Sequence, residues 1–162
     1  KSDALYDTNS PGSIAGEAAV MFRVDANKND AIAKVVAVDT LHSRNEESVQ
    51  GKLTQFIKTH LPAGEKIDLL LSGENGDNRL QSFFNIAEAA ADGAAIARFK
   101  HMSGEYPTAT AMGLWLACNI IQQQSMPSHM IKKQGSSSAY KNVLLYNTYK
   151  GIQHSFILVS LP

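Results

Sequence analysis

Residues 97–123, which read ARFKHMSGEYPTATAMGLWLACNIIQQ, decide the fold of this chain. An apolar run at 94–99 predicts a short buried strand that leads into Lys100, and Gly104 marks a turn directly after it. The pattern therefore places two charged side chains, Lys100 and Glu105, in a polar turn at the carboxyl end of a buried strand.

A helix is predicted directly after this turn. Pro107 suits a first helical turn, because proline has no N–H to donate and its φ is already helical. Small residues at 108–111 allow backbone or a ligand to approach closely, and nearly every side chain from 109 to 121 is apolar or small. A helix that is apolar on all sides is typically a buried one. The sequence therefore predicts a central helix, almost fully buried, at 109–121.

Strand and helix patterns alternate along the rest of the chain. The predicted strands are 14–24, 32–41, 67–71, 94–99, 143–149 and 155–161, and the predicted helices are 46–61, 79–91 and 109–121. This order, β-β-α-β-α-β-α-β-β, predicts an α/β fold with a mixed sheet covered by helices. We expect the first two strands to pair with each other, and the last two to form a hairpin.

No linker divides the chain, so we expect a single domain over residues 1–162. Residues 1–13 are rich in turn formers and predict an irregular arm. Residues 124–142 are polar and include three consecutive serines, which predicts an exposed connection.

Composition and charge restrict the function further. The 162 residues have a formal net charge of zero, which argues against a nucleic-acid binder. The single cysteine, Cys118, lies in the predicted buried helix, where it reads as a packing residue. One cysteine allows no disulfide within the chain, and no apolar run is long enough to cross a membrane. With no signal peptide recognised, we expect a reducing, cytoplasmic location.

Neither a metal site nor a phosphate loop is indicated. The five histidines show no metal-ligand spacing: His42, His60, His101, His129 and His154. The loop at 72–77 contains two glycines after a strand, but no Gly-Lys-Ser/Thr follows them. We expect no metal and no cofactor, and solvated turn residues rather than a cation site at 74–77.

The strand, turn and buried helix at 97–123 resemble the second active-site motif of the β-ketoacyl synthases, condensing enzymes of the thiolase superfamily. That motif reads roughly Lys-Ser-x-x-Gly-His-Thr-x-x-Ala-Ala-Gly. Lys100 falls on the family lysine and Gly104 on the glycine. Glu105 falls where the family has a catalytic histidine, and the small residues from Thr108 onward fall on the start of the helix.

Three further segments carry the same resemblance. Gly16-Glu17-Ala18 falls on a Gly-Glu-Gly that opens a family strand. Residues 67–77 fall on a strand followed by Ala-His-Gly-Thr-x-Thr, with Gly73 at the first catalytic histidine. Residues 147–154 fall on Asn-Ser-Phe-Gly-Phe-Gly-Gly, where Asn147 is kept and Tyr149 is a conservative change. The resemblance covers residues 11–160 and implies the carboxyl-terminal half of a thiolase-like fold.

The resemblance also implies a site whose catalytic groups have been replaced. Family enzymes use a cysteine thiolate to carry the acyl chain and two histidines to assist decarboxylation and stabilise an enolate oxygen. Here the cysteine segment would precede Lys1, Gly73 has no side chain, and an ionised Glu105 would repel an enolate. An ion pair between Lys100 and Glu105 that braces the turn is the alternative to a catalytic role for these residues.

Three functions follow from the resemblance. The first is a partner without its own catalytic set, similar to the chain-length-factor subunits that pair with an active ketosynthase. The second is an active 3-oxoacyl-(acyl-carrier-protein) synthase completed by an amino-terminal half. The third is a binding or scaffolding domain. The implied partners are an acyl carrier protein, a ketosynthase partner or a second copy, and the amino-terminal half of the same fold. Asn147, Tyr149 and Thr108 are the implied substrate-binding residues.

Overall fold

The computed structural model describes residues 4–7, 9–27 and 29–162. Its six strands form one mixed sheet in the order β1-β6-β5-β2-β3-β4. In chain order the strands are β1 (Lys34–His42), β2 (Leu69–Ser72), β3 (Ala95–Arg98), β4 (Ile131–Lys133), β5 (Asn142–Tyr149) and β6 (Gln153–Ser160).

Four α-helices lie between these strands in the described residues, and the start of the first has a local explanation. They are α1 (Glu46–His60), α2 (Gln81–Ala90), α3 (Lys100–Ser103) and α4 (Ala109–Gln123). Helix α1 is capped by Asn45, whose side chain accepts a hydrogen bond from the backbone N–H of Ser48 at 2.7 Å. Its buried side chains recur at helical spacing, as Val49, Leu53 and Phe56.

Helices cover both faces of the sheet, and strand β2 shows how the two faces are separated. Leu70 belongs to the apolar cluster that includes helices α1 and α2, whereas Leu69 and Leu71 belong to the cluster that includes α4. Successive side chains of a strand point to opposite faces. Helix α4 therefore lies alone on one face, which we call the α4 side, while α1 and α2 share the other.

Most predicted elements are present, but the predicted order is wrong at two places. Residues 14–24 form no strand and make only an isolated bridge at Ala15, so the expected pairing of the first two strands does not occur. Instead β1 pairs antiparallel with β6 at the opposite end of the chain. The segment 124–142, predicted to be an exposed connection, contributes the short edge strand β4, which pairs antiparallel with β3.

The predicted arm at 1–13 is only partly covered by the structure, because residues 1–3 and 8 lie outside the described residues. Of the rest, residues 4–7 form a turn and residues 11–13 lack regular structure.

The prediction that the helix at 109–121 is almost fully buried is wrong for this chain alone. Six residues of α4 are buried, among them Leu116, Ala117 and Ile120, but 42% of Trp115 is exposed. Helices α2 and α4 also lie on opposite faces of the sheet. A second half of the fold therefore cannot cover both helices from one side.

The terminal hairpin is confirmed. Strands β5 and β6 pair antiparallel over their whole length, from Asn142 with Ser160 to Tyr149 with Gln153. The turn between them has a positive φ at two consecutive residues, 56° at Lys150 and 65° at Gly151.

The sheet topology determines where the functional residues meet. Strands β5, β2 and β3 are adjacent and parallel to each other. Their carboxyl ends therefore lie at the same edge of the sheet, although they come from three distant parts of the sequence.

Candidate functional site

Three loops converge at the carboxyl edge of the parallel strands. Residues 73–77 follow β2, α3 and the turn at Gly104 follow β3, and the Lys150 turn follows β5. In open α/β sheets this edge is where ligands bind. The motif residues that the resemblance singles out are thus brought to one end of the sheet.

The base of the site is an ion pair. Lys100 Nζ donates to Glu105 Oε1 at 2.6 Å, and Asn75 Nδ2 donates to Glu105 Oε2 at 2.7 Å. Only 1% of the Lys100 side chain is exposed, against 12% of Glu105. Burial lowers the pKa of Lys100, although the neighbouring carboxylate opposes that shift. A ligand in the site would therefore meet the carboxylate and not the lysine.

The segment that precedes the apolar run at 17–24 positions Glu105. We call residues 9–16 the strap. The backbone N–H of Glu105 donates to the carbonyl of Ile14 at 2.8 Å, and the N–H of Gly16 donates to the carbonyl of Glu105 at 3.2 Å. Gly104 has a φ of 70°, and a side chain on it would lie 2.6 Å from Cα of Gly16. Two glycines are needed here because the two backbones touch.

Gly73 is in contact with Asn147. A Cβ atom at position 73 would lie 2.1 Å from Asn147 Oδ1, and the backbone N–H of Gly73 already donates to the carbonyl of Tyr146 at 2.8 Å. The Asn147 side chain is fixed in turn, because its Nδ2 donates to Thr110 Oγ1 at 2.9 Å. Asn147 therefore occupies the space that any side chain at position 73 would need.

The loop after β2 is braced on both sides by ion pairs. Glu74, which is buried, accepts from Arg98 Nη1 at 3.2 Å and from Lys132 Nζ at 2.6 Å. At the other end of the loop, Arg79 makes a bidentate contact with Asp77, at 2.9 and 2.6 Å, and lowers the pKa of that carboxyl to about 2. These contacts hold the loop so that Asn75 reaches Glu105.

An open cavity of about 800 Å³ lies above the ion pair. This volume suits a small-molecule ligand. The strap, the β2 loop, the Glu105 turn and the β5–β6 turn line this cavity. Its charged and aromatic lining residues are Asp77, Arg79, Glu105, Tyr106, Tyr149 and Lys150.

The motif residues do not all reach this cavity. Glu105 and Tyr149 line it, while Lys100 and Asn147 are buried behind it. Thr108 is exposed and is not among the lining residues; Thr110, two residues later, is the threonine that contacts Asn147.

Sequence reasoning missed several contacts of this site. The sequence pattern indicates only a turn residue at Asn75 and a small residue of a helix start at Thr110. The only sequence signal for the role of Asn75 is that it lies two residues after the motif position Gly73. Lys100 opens the short helix α3, and His101 in that helix contacts Tyr6 and His129.

Neither motif position offers a side-chain hydrogen-bond donor to a ligand. Gly73 has no side chain, and both oxygens of Glu105 are already acceptors. Across the described ranges, no group of three or more histidine, cysteine, aspartate or glutamate side chains is placed to hold a metal ion. In the same part of the chain, no helix is long and apolar enough to cross a membrane.

Comparison with known proteins gives a fold. No family model and no curated protein matches the sequence. Solved ketosynthases match the structure over 81% of this chain. One is a type II polyketide ketosynthase bound to the hexaketide and in complex with its acyl-carrier protein, at a TM-score of 0.61 and 14% identity, with 39% of that chain covered.

Two further structures are similar. An oxazolomycin ketosynthase domain from Streptomyces albus JA3453 matches at a TM-score of 0.63 and 6% identity, over 45% of its length. The ishigamide ketosynthase/chain length factor matches at 0.62 and 11%, over 38% of its length. The chain therefore has the thiolase-like fold of ketosynthases and spans less than half the length of these structures. Identities this low establish the fold alone.

Proposed function

We propose that this chain is a catalytically degenerate relative of the β-ketoacyl synthases that acts as a chain-length-factor-like partner in acyl chain biosynthesis. The observation that carries the proposal is the contact between Gly73 and Asn147. The Asn147 side chain fills the space in front of Gly73, and no histidine side chain stands at the first motif position. The chain therefore keeps the fold and a cavity while the histidine side chains are replaced.

The ion pair at the second motif position supports the same proposal. Decarboxylation develops negative charge on an oxygen, which histidines stabilise by donating hydrogen bonds. Glu105 offers only an acceptor, and its charge is balanced by Lys100 underneath it. Loss of one such donor lowers the rate about 10²–10³-fold, so loss of both leaves little activity.

The uncovered α4 side supports a partner of the same fold. Val38 and Val35 of β1 pair with Ile157 and Val159 of β6, which belong to the α4-side cluster. Paired residues share a face of the sheet. Yet 60% of Val38 and 46% of Val35 are exposed, because α4 does not extend over β1.

The widths agree with a missing helix on this side. Six strands about 4.8 Å apart span about 24 Å, whereas one helix with its side chains covers only about 10–12 Å. The opposite face of the sheet carries two helices, α1 and α2. The proposed occupant is a helix of a second thiolase-like half, lying beside α4 and over β1.

Within this proposal the whole chain acts as one domain and works in the cytoplasm with a ketosynthase and an acyl carrier protein. Tyr149 contacts the acyl substrate from the cavity wall, and Asn147 shapes the floor. Thr108 lies just before α4 and outside the cavity lining, so its proposed contact is with a part of the substrate that extends beyond the cavity. A type II ketosynthase of similar fold is known in complex with its acyl-carrier protein, which supports the choice of partner.

Decarboxylation of a malonyl group on a carrier protein tests the proposal. We expect no turnover by the purified protein alone, and none after Glu105→His. With a candidate ketosynthase we expect turnover, and we expect the double variant Lys100→Met/Glu105→Gln to keep it. Robust turnover by the protein alone would refute the non-catalytic role and favour an active synthase.

A further inference from the structure

Lys150 has a backbone conformation that its side chain disfavours. Among the described residues, only Lys150 and Gln124 combine a positive φ with a side chain, at 56° and 49°. Gln124 ends helix α4, where its side chain bonds the carbonyls of Ile121 and Tyr140 and the N–H of Tyr140. Lys150 has no such bonds within the described part of the chain. In a turn with two consecutive positive φ angles, asparagine or glycine is the favoured first residue.

The side chain of Lys150 belongs to the cavity. It is exposed at the tip of the β5–β6 turn and lines the cavity together with Tyr149, Tyr106 and Glu105. Its Nζ lies 5.1 Å from the centre of the Tyr149 ring. The tip of the turn thus holds a cation at the mouth of the cavity, and Glu105 lies at its base.

Lys150 also carries the charge that is left unbalanced around the cavity. Arg79 is paired with Asp77, and Glu105 with Lys100. No carboxylate forms an ion pair with Lys150 among the described residues. The charged side chains of the site therefore leave one net positive charge, and it stands at the entrance.

We infer that Lys150 binds an anionic group, a phosphate ester or a carboxylate, at the outer end of a ligand whose body occupies the cavity. The inference deepens the proposed function, because it names the chemistry that the cavity selects. Residues held in disfavoured backbone regions concentrate at functional sites, where a ligand contact compensates for the strain. Asparagine at position 150 would relieve the strain but lose the charge.

Calorimetric titration with three probes tests the inference: pantetheine, 4′-phosphopantetheine and malonyl-pantetheine. We expect one anionic probe to bind about fivefold more tightly than pantetheine in low salt, and to lose this advantage in high salt. An advantage of the phosphorylated probe identifies a phosphate ester as the anion. An advantage of the malonyl probe identifies a carboxylate.

Three variants connect that advantage to Lys150. Lys150→Arg should keep it, and Lys150→Gln should lose it. Lys150→Asn should lose it while raising the folding equilibrium constant about fivefold or more, because strain is relieved. The inference is wrong if Lys150→Asn binds the anionic probes as tightly as the wild type, or if the wild type does not distinguish them from pantetheine.

The same titration separates this inference from the proposed function. Equal binding of all three probes refutes the role of Lys150 but is still consistent with the proposed function, because the protein would then bind the neutral pantetheine group. Binding of none of the probes refutes the role of Lys150 as well. The proposed function fails independently, if the protein alone decarboxylates a malonyl carrier.

Discussion

At the scale of single residues, the candidate site depends on pairs that only make sense together. The Asn147 side chain fills the space in front of Gly73, and the charge of Glu105 balances that of Lys100. Changing both members of a pair should therefore cost less than the sum of the two single changes.

The first prediction concerns Gly73 and Asn147. Gly73→Ala should lower the free energy of unfolding by about 1–3 kcal/mol, because a methyl group would overlap Asn147. Asn147→Gly should relieve that overlap, so the double variant should be more stable than the sum of the two single changes predicts. Urea unfolding of the four proteins measures this coupling. Strictly additive changes would show that the two residues do not compete for space.

The second prediction concerns the buried ion pair. Glu105→Gln leaves Lys100 buried without its carboxylate and should destabilise the protein by about 3–5 kcal/mol. The double variant Lys100→Met/Glu105→Gln removes both charges and should recover most of that loss. The comparison uses urea midpoints at constant pH. If the double variant is as unstable as Glu105→Gln, the ion pair stabilises the turn through its hydrogen bonds and packing and not only by balancing the two charges.

The third prediction is a pH dependence caused by His154. Tyr146 Oη donates to His154 Nδ1 and His154 Nε2 donates to the carbonyl of Ser43, both at 2.9 Å. Burial lowers the pKa of His154, although the Ser43 carbonyl opposes the shift. The unfolded chain therefore binds a proton that the folded chain excludes. Stability from this site is complete above the unfolded pKa of about 6.5 and declines as the pH falls below it.

Unfolding free energies at pH 7.5 and pH 5 check this prediction. The loss on acidification should be smaller in His154→Gln than in the wild type, by at most about 1.4 kcal/mol per pH unit. The His154→Gln variant still retains other acid-sensitive groups, among them His101, whose pKa is also lowered by burial. Identical pH profiles for the two proteins would exclude His154 as a source.

At the scale of elements, sequence preference and observed structure differ most in residues 17–24. These residues are β-rich and apolar, yet they form no strand, and Met21 and Val24 are 95% and 89% exposed. The hairpin of β5 and β6 has a comparable preference and is fully paired. The two segments differ in whether they have a strand to pair with. Each strand of the hairpin pairs with the other, whereas residues 17–24 pair with no strand among the described residues.

A fourth prediction follows for this segment. In the protein alone, backbone amides of residues 17–24 should exchange with deuterium quickly, whereas those of β5 should be protected. If the segment pairs with a strand of the proposed partner, its amides should become protected when that partner binds. Fast exchange in the saturated complex would show that these residues remain unpaired there.

At the scale of the whole molecule, the two faces of the sheet are unequal. The α1 and α2 face is covered, whereas Val35, Val38 and Trp115 leave apolar surface on the α4 side. Exposed apolar surface of this kind marks an interface or a tendency to aggregate. The proposed partner would cover it.

The fifth prediction tests the α4 side as an interface. Val38→Glu and Trp115→Glu should each weaken binding to a ketosynthase partner at least about tenfold, since each would bury a charge in an apolar contact. Gln55→Glu on α1, on the opposite face, adds the same charge and should leave affinity unchanged. Analytical ultracentrifugation measures the affinities. Equal weakening by all three variants would place the contact elsewhere.

The sequence alone determined the elements whose signals are local. The periodic apolar residues of α1, the apolar run of α4 after Pro107, and the β5–β6 hairpin could all be predicted directly, because such preferences act over a few neighbours. The motif positions Lys100, Gly104, Glu105, Gly73 and Asn147 also carried the resemblance that implied the fold.

Only the tertiary structure decided which of these residues meet. The contact of Asn75 with Glu105 joins residues 30 apart in the chain, that of Gly73 with Asn147 joins residues 74 apart, and β1 pairs with β6 across 111 to 126 residues. No local preference encodes such distances. The same reason explains why residues 14–24 are not a strand: a β-strand exists only when a partner pairs with it, and that partner is chosen by the whole fold.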